Sequence, residues 1–278
     1  MDWDLSVSSK HKLFDLKLQE LFHYRDLIAM FFWRDFVTTY KQTILGPLWH
    51  ILSPLASTFV YAFAFGNIAR ISTDGIPFLL FYYGGTMLWT FFSTCLNNAA
   101  NIFISHADVF GKVYFPRLSV PIATTFSALF RSLIQFFMLM CFLVYFIITG
   151  NPVRPTYMAF LFPFMLIWIA ALGTGMGMIF SALTTKYRDL NHVLNLSLQL
   201  LMYLTPVVYP LSQVPKRLKF FFYLNPMSAP VELFRVWFYG LGNVPYKMII
   251  SSLMAAIILF SIGLILFKKV ERTFMDII

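Results

Sequence analysis

Six times along this chain, twenty or more residues pass with almost no Asp, Glu, Lys or Arg: residues 42–69, 75–107, 118–148 with Arg131 inside it, 155–185, 190–210 and 248–267. In a bilayer core the backbone has no water to bond to, so only helices and closed barrels cross it, and a helix needs about 20 apolar residues to span roughly 30 Å. A barrel would alternate apolar and polar residues in segments of about ten. Runs such as "FVYAFAFG" and "MLIWIAALGTGMGMIF" are instead apolar on every side. The expected fold is an all-α membrane protein: one transmembrane domain over residues 1–278, with six transmembrane helices. Only 12% of its residues are charged, against about a quarter in soluble domains, so no soluble domain is expected beside the membrane part.

Six crossings put both ends on one side, and the Lys/Arg distribution decides which. The N-terminal segment, the two connections on its side and the tail hold thirteen: Lys10, Lys12, Lys17, Arg25, Arg34, Lys41, Lys112, Arg117, Lys186, Arg188, Lys268, Lys269 and Arg272. The opposite side holds Arg70, Arg154, Lys216, Arg217, Lys219, Arg235 and Lys247. Both termini are therefore expected in the cytoplasm. Asp2 and Asp4 stand where a signal peptide would be positive, which points the same way. The net charge of +9 reads as a topology signal and an attraction to anionic membrane lipids, and gives no basis for a nucleic-acid partner.

Four segments are more than plain spans. Residues 14–36 place Phe14, Leu18, Leu21, Phe22, Ile28, Phe32 and Phe36 at helical spacing, with Gln19, His23, Asp26 and Arg34 toward the other side; such a helix lies along a membrane surface or packs on a neighbour. In "YKQTILGPLWHILSP", residues 40–54, Lys41 can stay at headgroup level while Gly46 and Pro47 turn the chain into the membrane. Pro54 then leaves a carbonyl without its helical partner. Residues 104–121 form a short connection in which Asp108, Phe110, Lys112, Tyr114 and Phe115 could make one or two turns projecting toward a partner. Residues 206–247 are apolar but interrupted by six prolines, so each uncharged piece of about ten residues is too short to cross. Two re-entrant half-helices broken near Asn225 and Pro226 fit best, with Glu232 and Arg235 three apart and placed to pair.

Arg131 lies roughly 20 Å into its span, where a charge must face protein or water; it either contacts cargo or pairs with a carbonyl or Gln135. "GTGMG", residues 173–177, sits inside an apolar span with no strand before it and no Lys-Ser or Lys-Thr after it, so it reads as close helix packing through Gly173 and Gly177. No Walker-type loop occurs, and if ATP is used another chain must bind it. Cys95 and Cys141 read as small packing residues, and the five histidines form no metal-binding pair. No catalytic or metal site is expected. Aromatic residues make up 19% of the chain. Those at Trp49, Phe59, Tyr61, Phe63, Tyr82, Tyr83, Trp89 and Phe92 could face lipid, pack, or present flat faces to passing sugar rings.

"YKQTILGPLW" at 40–49, "KYRDL" at 186–190 and "LNPMSAPVELFR" at 224–235, in this order and with six spans, resemble the membrane subunit of ABC-type polysaccharide exporters, which move O-antigen, capsule or teichoic-acid chains. The resemblance implies a homodimer in the bacterial cytoplasmic (inner) membrane, with a channel between the two copies and a separate ATPase subunit that binds ATP and Mg. It makes 14–41 an interface helix, 104–117 a coupling helix (Asp108, Phe110, Lys112, Tyr114), 185–191 a second ATPase contact (Lys186, Arg188, Asp189), and 211–240 outer gate helices (Asn225, Pro226, Glu232, Arg235). The implied substrate is a glycan on undecaprenyl diphosphate, whose anionic headgroup Arg34 and Lys41 would meet. The channel candidates are then Trp49, Phe59, Tyr61, Phe63, Tyr82, Trp89 and Arg131. Two other classes share parts of this plan: a drug- or lipid-exporting ABC permease, and an ion-coupled flippase, which would need titratable groups at its centre.

Overall fold

The computed structural model describes residues 23–41, 45–106, 110, 115–185, 187 and 189–273. Among these residues every regular element is helical. Helix α1 covers Arg25–Tyr40, and a 3₁₀ turn, Gly46–Leu48, leads into α2, Trp49–Tyr61, which continues as π-helix through Ala62–Ile68. Gly46 takes φ +48°, the left-handed conformation in which a side chain would be strained. Helices α3 (Phe78–Ala100), α4 (Ser119–Ile148), α5 (Phe162–Thr184) and α6 (Leu190–Tyr203) follow. The short α7 (Lys219–Leu224), α8 (Ser228–Tyr239) and the long α9 (Tyr246–Thr273) complete the chain.

Near the start, Tyr24 and Leu27 pack in the same hydrophobic cluster as Phe267 and Val270 near the end, so both described ends of the chain lie together. From that end α2, α4 and α6 lead away, and α3, α5 and α9 return. Four of these six legs are long and apolar enough to cross a membrane: Trp49–Ile68, Ser119–Ile148, Tyr157–Thr184 and Tyr246–Glu271.

The other two legs differ from a plain span. Helix α3 has 23 residues and no charge, yet carries Tyr82, Tyr83, Thr86, Thr90, Asn97 and Asn98. It is the central helix, buried without interruption from Leu80 to Trp89. Its surroundings are protein, so lipid does not set its composition. Helix α6 stops after 14 residues, about 21 Å, short of the expected span over 190–210. The reason is local: Pro206 disfavours helix at Thr205 and offers no N–H of its own. The chain goes on as irregular backbone in which Thr205, Pro206, Val207 and Val208 are all buried, the condition under which non-helical chain survives at membrane depth.

Helix α5 seats on α3 through its glycines. A Cβ on Gly173 would come within 2.8 Å of Cys95 Cβ and the Phe92 carbonyl, and one on Gly177 would collide with the Leu96 carbonyl. Gly175 faces the other way, where a Cβ would stand 2.7 Å from the Phe260 backbone of α9. The "GTGMG" run is thus a two-sided packing device. Cys95 is buried in that contact, whereas Cys141 is exposed on the outer side of α4, contrary to the packing role expected for it.

Helix α1 lies against α4. The stripe that could have met lipid, Ile28, Phe32 and Phe36, faces protein instead: Phe32 and Phe36 both set edge-to-face on Phe130, and Ile28 joins the cluster that holds Phe267. Met30 and Trp33 point outward. An apolar stripe records burial, but not whether lipid or protein provides it. The part of this segment before residue 23 lies outside the described residues.

Candidate functional site

Between α2, α3 and α4 lie two adjoining cavities. The larger, about 190 Å³, is lined by Trp49, His50, Ser53, Pro54, Ser57 and Tyr61 of α2, Thr86, Trp89 and Thr90 of α3, Gln135 of α4 and Met202 of α6. The smaller, about 140 Å³, is lined by His50, Thr90, Phe91, Thr94, Ala128, Arg131, Ser132 and Gln135. His50, Thr90 and Gln135 border both. The local chemistry follows from Pro54. Lacking an N–H, it leaves the His50 carbonyl without its donor, and Gln135 Nε2 supplies one from α4 at 3.1 Å.

Arg131 stands beside His50, in the first turn of α2. It is therefore level with the start of that leg, not deep within it. Counting along α4 misleads, because α4 has 30 residues, about 45 Å, and its first turns run beside α1 before reaching the level of α2.

Of the seven channel candidates, Trp49, Tyr61, Trp89 and Arg131 border this space. Phe59 and Phe63 lie outside it, on an exposed stripe of α2 that also carries Leu52 and Val60. Tyr82 is fully buried in the core, stacked on Phe78 at 6.4 Å, and Tyr83 and Phe92 are buried with it. The polar residues that sequence reasoning passed over recur four apart within apolar runs: Ser53 and Ser57 on α2, in line with Tyr61, and Thr86, Thr90 and Thr94 on α3. That spacing puts each set on one helix face, a signal that could have found the cavity.

At the end where Tyr24 and Val270 lie, Phe31, Phe103, Phe110, Phe115 and Phe267 form a buried aromatic cluster. Phe110 is only 2% exposed, so its ring anchors the 104–117 segment and does not project from it. Arg117 lies over the Phe110 ring at 5.4 Å and donates to the Glu271 carbonyl at 2.8 Å. Asp108, Lys112, Tyr114, Lys186 and Arg188 fall outside the described residues, and Asp189 is exposed just before α6.

Arg34, expected at a substrate-admission point, is engaged here. Its Nη2 bonds His106 Nε2 at 2.9 Å and Asp35 at 3.1 Å, and its guanidinium lies over Phe31 at 4.9 Å. Because arginine only donates, His106 must be neutral and accept at Nε2. Burial first, and then the Arg34 charge, hold its pKa below the usual histidine value. Lys41, at the C-terminal end of α1, is exposed.

At the opposite end α7 and α8 are separated by Asn225, Pro226 and Met227. Asn225 Nδ2 donates to the Leu204 carbonyl at 3.1 Å and to Thr205 Oγ1 at 2.8 Å, while its Oδ1 accepts from the Met227 N–H at 3.0 Å. Ser252 of α9 donates to the Pro226 carbonyl. The break is thus fastened to α6 on one side and α9 on the other. Glu232 and Arg235 form a 2.8 Å ion pair with side chains only 6% and 3% exposed. The Leu211 N–H donates to Glu232 Oε1 at 3.0 Å; Arg235 donates to the Val207 carbonyl at 3.2 Å and lies 3.7 Å over the Phe81 ring. Tyr239 OH donates to the Leu80 carbonyl at 2.7 Å, tying α8 to the start of α3.

Comparison with known proteins adds the family. Residues 26–239 match the family model described as ABC-2 type transporter. The chain is 26% identical over 253 residues to the O-antigen export system permease protein RfbA of Klebsiella pneumoniae, covering 91% of this chain and 95% of that one. It is 28% identical over 225 residues to the protein of the same name from Myxococcus xanthus, covering 80% and 84%. The polysialic acid transport protein KpsM of Escherichia coli is 26% identical over 211 residues, covering 75% and 79%.

Proposed function

The chain belongs to the ABC-2 type transporter family, and from that premise we propose that it is the membrane-spanning subunit of an ATP-driven exporter. The proposed cargo is lipid-linked polysaccharide of the O-antigen kind, carried across the bacterial cytoplasmic membrane. The observation that carries this reading is the near end-to-end likeness to O-antigen export permeases, over 95% of the length of one of them. The chain supplies the path and a separate ATPase subunit the energy; the lack of any Walker-type loop supports that division.

Two copies would enclose the path. Helix α6 buries only Leu194 and Leu198, leaving Asn195, Leu196, Gln199 and Leu200 exposed; α2, whose Tyr61 OH reaches Met202 Sδ of α6 at 3.9 Å, leaves its Phe59–Phe63 stripe exposed on another face. Amide side chains mixed with leucines suit a partly wet interface between protomers better than lipid. The segments 104–117 and 185–191 would receive the ATPase, with both termini on that cytoplasmic side. The nucleotide cycle would shift α2 and α6 against their mates, and residues 211–240 would gate the outer end. An ion-coupled flippase is less well supported, since Glu232 is committed to Arg235 and Leu211.

The test is complementation. In a strain lacking its own O-antigen permease, this chain together with its ATPase partner should restore surface glycan, and an ATPase unable to hydrolyse ATP should abolish it. Glycan appearing at the surface without hydrolysis would refute the reading.

A further inference from the structure

We propose that the paired cavities between α2, α3 and α4 bind the headgroup of the transported lipid within a single protomer, a phosphate in the Arg131 compartment and the first sugar ring in the Trp89 compartment. This rests on the exporter reading above and assigns a place where its substrate is held.

The Arg131 compartment has the chemistry of a phosphate site. A guanidinium fork matches phosphate oxygens, and hydroxyls from Thr90, Thr94 and Ser132 surround it. Ser132 is 3% exposed and its Oγ has no hydrogen-bond partner. Such an orphan costs about 1–3 kcal/mol, a cost removed when an anionic oxygen accepts from it.

The neighbouring compartment has a different lining. Trp49, Tyr61 and Trp89 give flat apolar faces, and Ser53, Ser57 and Thr86 give hydroxyls beside them, a combination suited to a ring with C–H faces and an equatorial rim of oxygens. Each volume alone, about 190 and 140 Å³, is small; joined, they reach the lower range of small-molecule sites, roughly 300 Å³.

The order of the two along the membrane also fits. The phosphate compartment adjoins the first turn of α2, at headgroup level, while the aromatic one extends on to Tyr61, roughly 17 Å further along the helix. A lipid docked there would keep its tail in the bilayer and point its sugar inward. A phospholipid headgroup shares the phosphate but would leave the aromatic compartment empty.

Native mass spectrometry of the purified complex with its ATPase can decide. The probes are a polyprenyl diphosphate carrying one N-acetylhexosamine, the same diphosphate lipid without sugar, and phosphatidylglycerol. The wild type should retain the sugar-bearing probe best. Arg131→Gln should weaken both diphosphate probes roughly ten- to hundredfold, the range for a lost charged hydrogen bond, with partial recovery in Arg131→Lys. Trp89→Leu should weaken only the sugar-bearing probe. Should Arg131→Gln not assemble, the paired changes Thr90→Val and Ser132→Ala strip hydroxyls from the same compartment and should weaken both diphosphates. Unchanged retention in these variants, or phosphatidylglycerol held as tightly as the sugar lipid, overturns the site. Wild-type glycan export in the complementation strain tells the two readings apart: export with an unaffected Arg131 variant removes only the site, while no export removes the exporter reading itself.

Discussion

Replacing Arg235 by leucine would strand the Glu232 carboxylate, whose side chain is only 6% exposed, with the Leu211 N–H as its remaining partner. Breaking one half of a buried pair costs about 3–5 kcal/mol, so Arg235→Leu is expected to lower the thermal midpoint of the detergent-solubilised protein markedly. Adding Glu232→Leu should restore part of the loss and not all, because the Leu211 N–H and Val207 carbonyl would still lack partners. Equal midpoints for the single and double variants would show that charge balance is not what this pair provides. His106 has a different sensitivity. Its folded pKa is depressed by burial and by Arg34, so the stability it contributes is complete above the ordinary value of about 6.5 and is lost as pH falls through the lower folded value. Wild-type protein should therefore destabilise on acidification more than His106→Gln, whose amide can still accept from Arg34; parallel pH profiles of the two midpoints would count against the bond. Proximity in sequence announced the Glu232–Arg235 pair, three residues apart on one helix. Nothing local announced Arg34 and His106, which lie 72 positions apart.

Helices were readable wherever lipid dictates composition. The apolar runs at 42–69, 118–148, 155–185 and 248–267 became the four legs with spanning character. Spanning character is blurred where protein replaces lipid as the neighbour, although a helix stands within the run at 75–107 as expected. Helix α3 tolerates its tyrosines, threonines and asparagines because α4, α5 and α8 cover it. Helix α6 ends early at a proline whose breaking effect was visible but was outweighed by the length of the apolar run. The exposed face of α6 leads to a direct test of the proposed dimer. With Cys141 replaced by Ser, single cysteines at Leu196 and Leu200 should form disulfide-linked dimers under mild oxidation in membranes. A cysteine at exposed Ile257 of α9 should not. Equal cross-linking at all three positions, seen on non-reducing gels, would mean random collision.

Taken as one body, the chain has polar ties concentrated at its two ends and glycine-mediated packing between them. A helical bundle and the break at Asn225 could be anticipated from the apolar runs and the prolines. The cavity's location could not, because it depends on how far α4 slides past α2, and residue counting along a single helix is blind to such offsets. The slide also explains why Arg131, counted as deep, sits beside the first turn of α2. Helix α3 touches both ends. Tyr239 fastens its head through the Leu80 carbonyl, and Thr184 fastens its foot through the Ala100 carbonyl at 2.9 Å, next to the Phe103 cluster. A rod pinned in this way has no slack: tilting it about its middle swings head and foot in opposite senses by like amounts, so a nudge of an ångström at the aromatic foot arrives as a comparable stroke beneath the Glu232–Arg235 clasp.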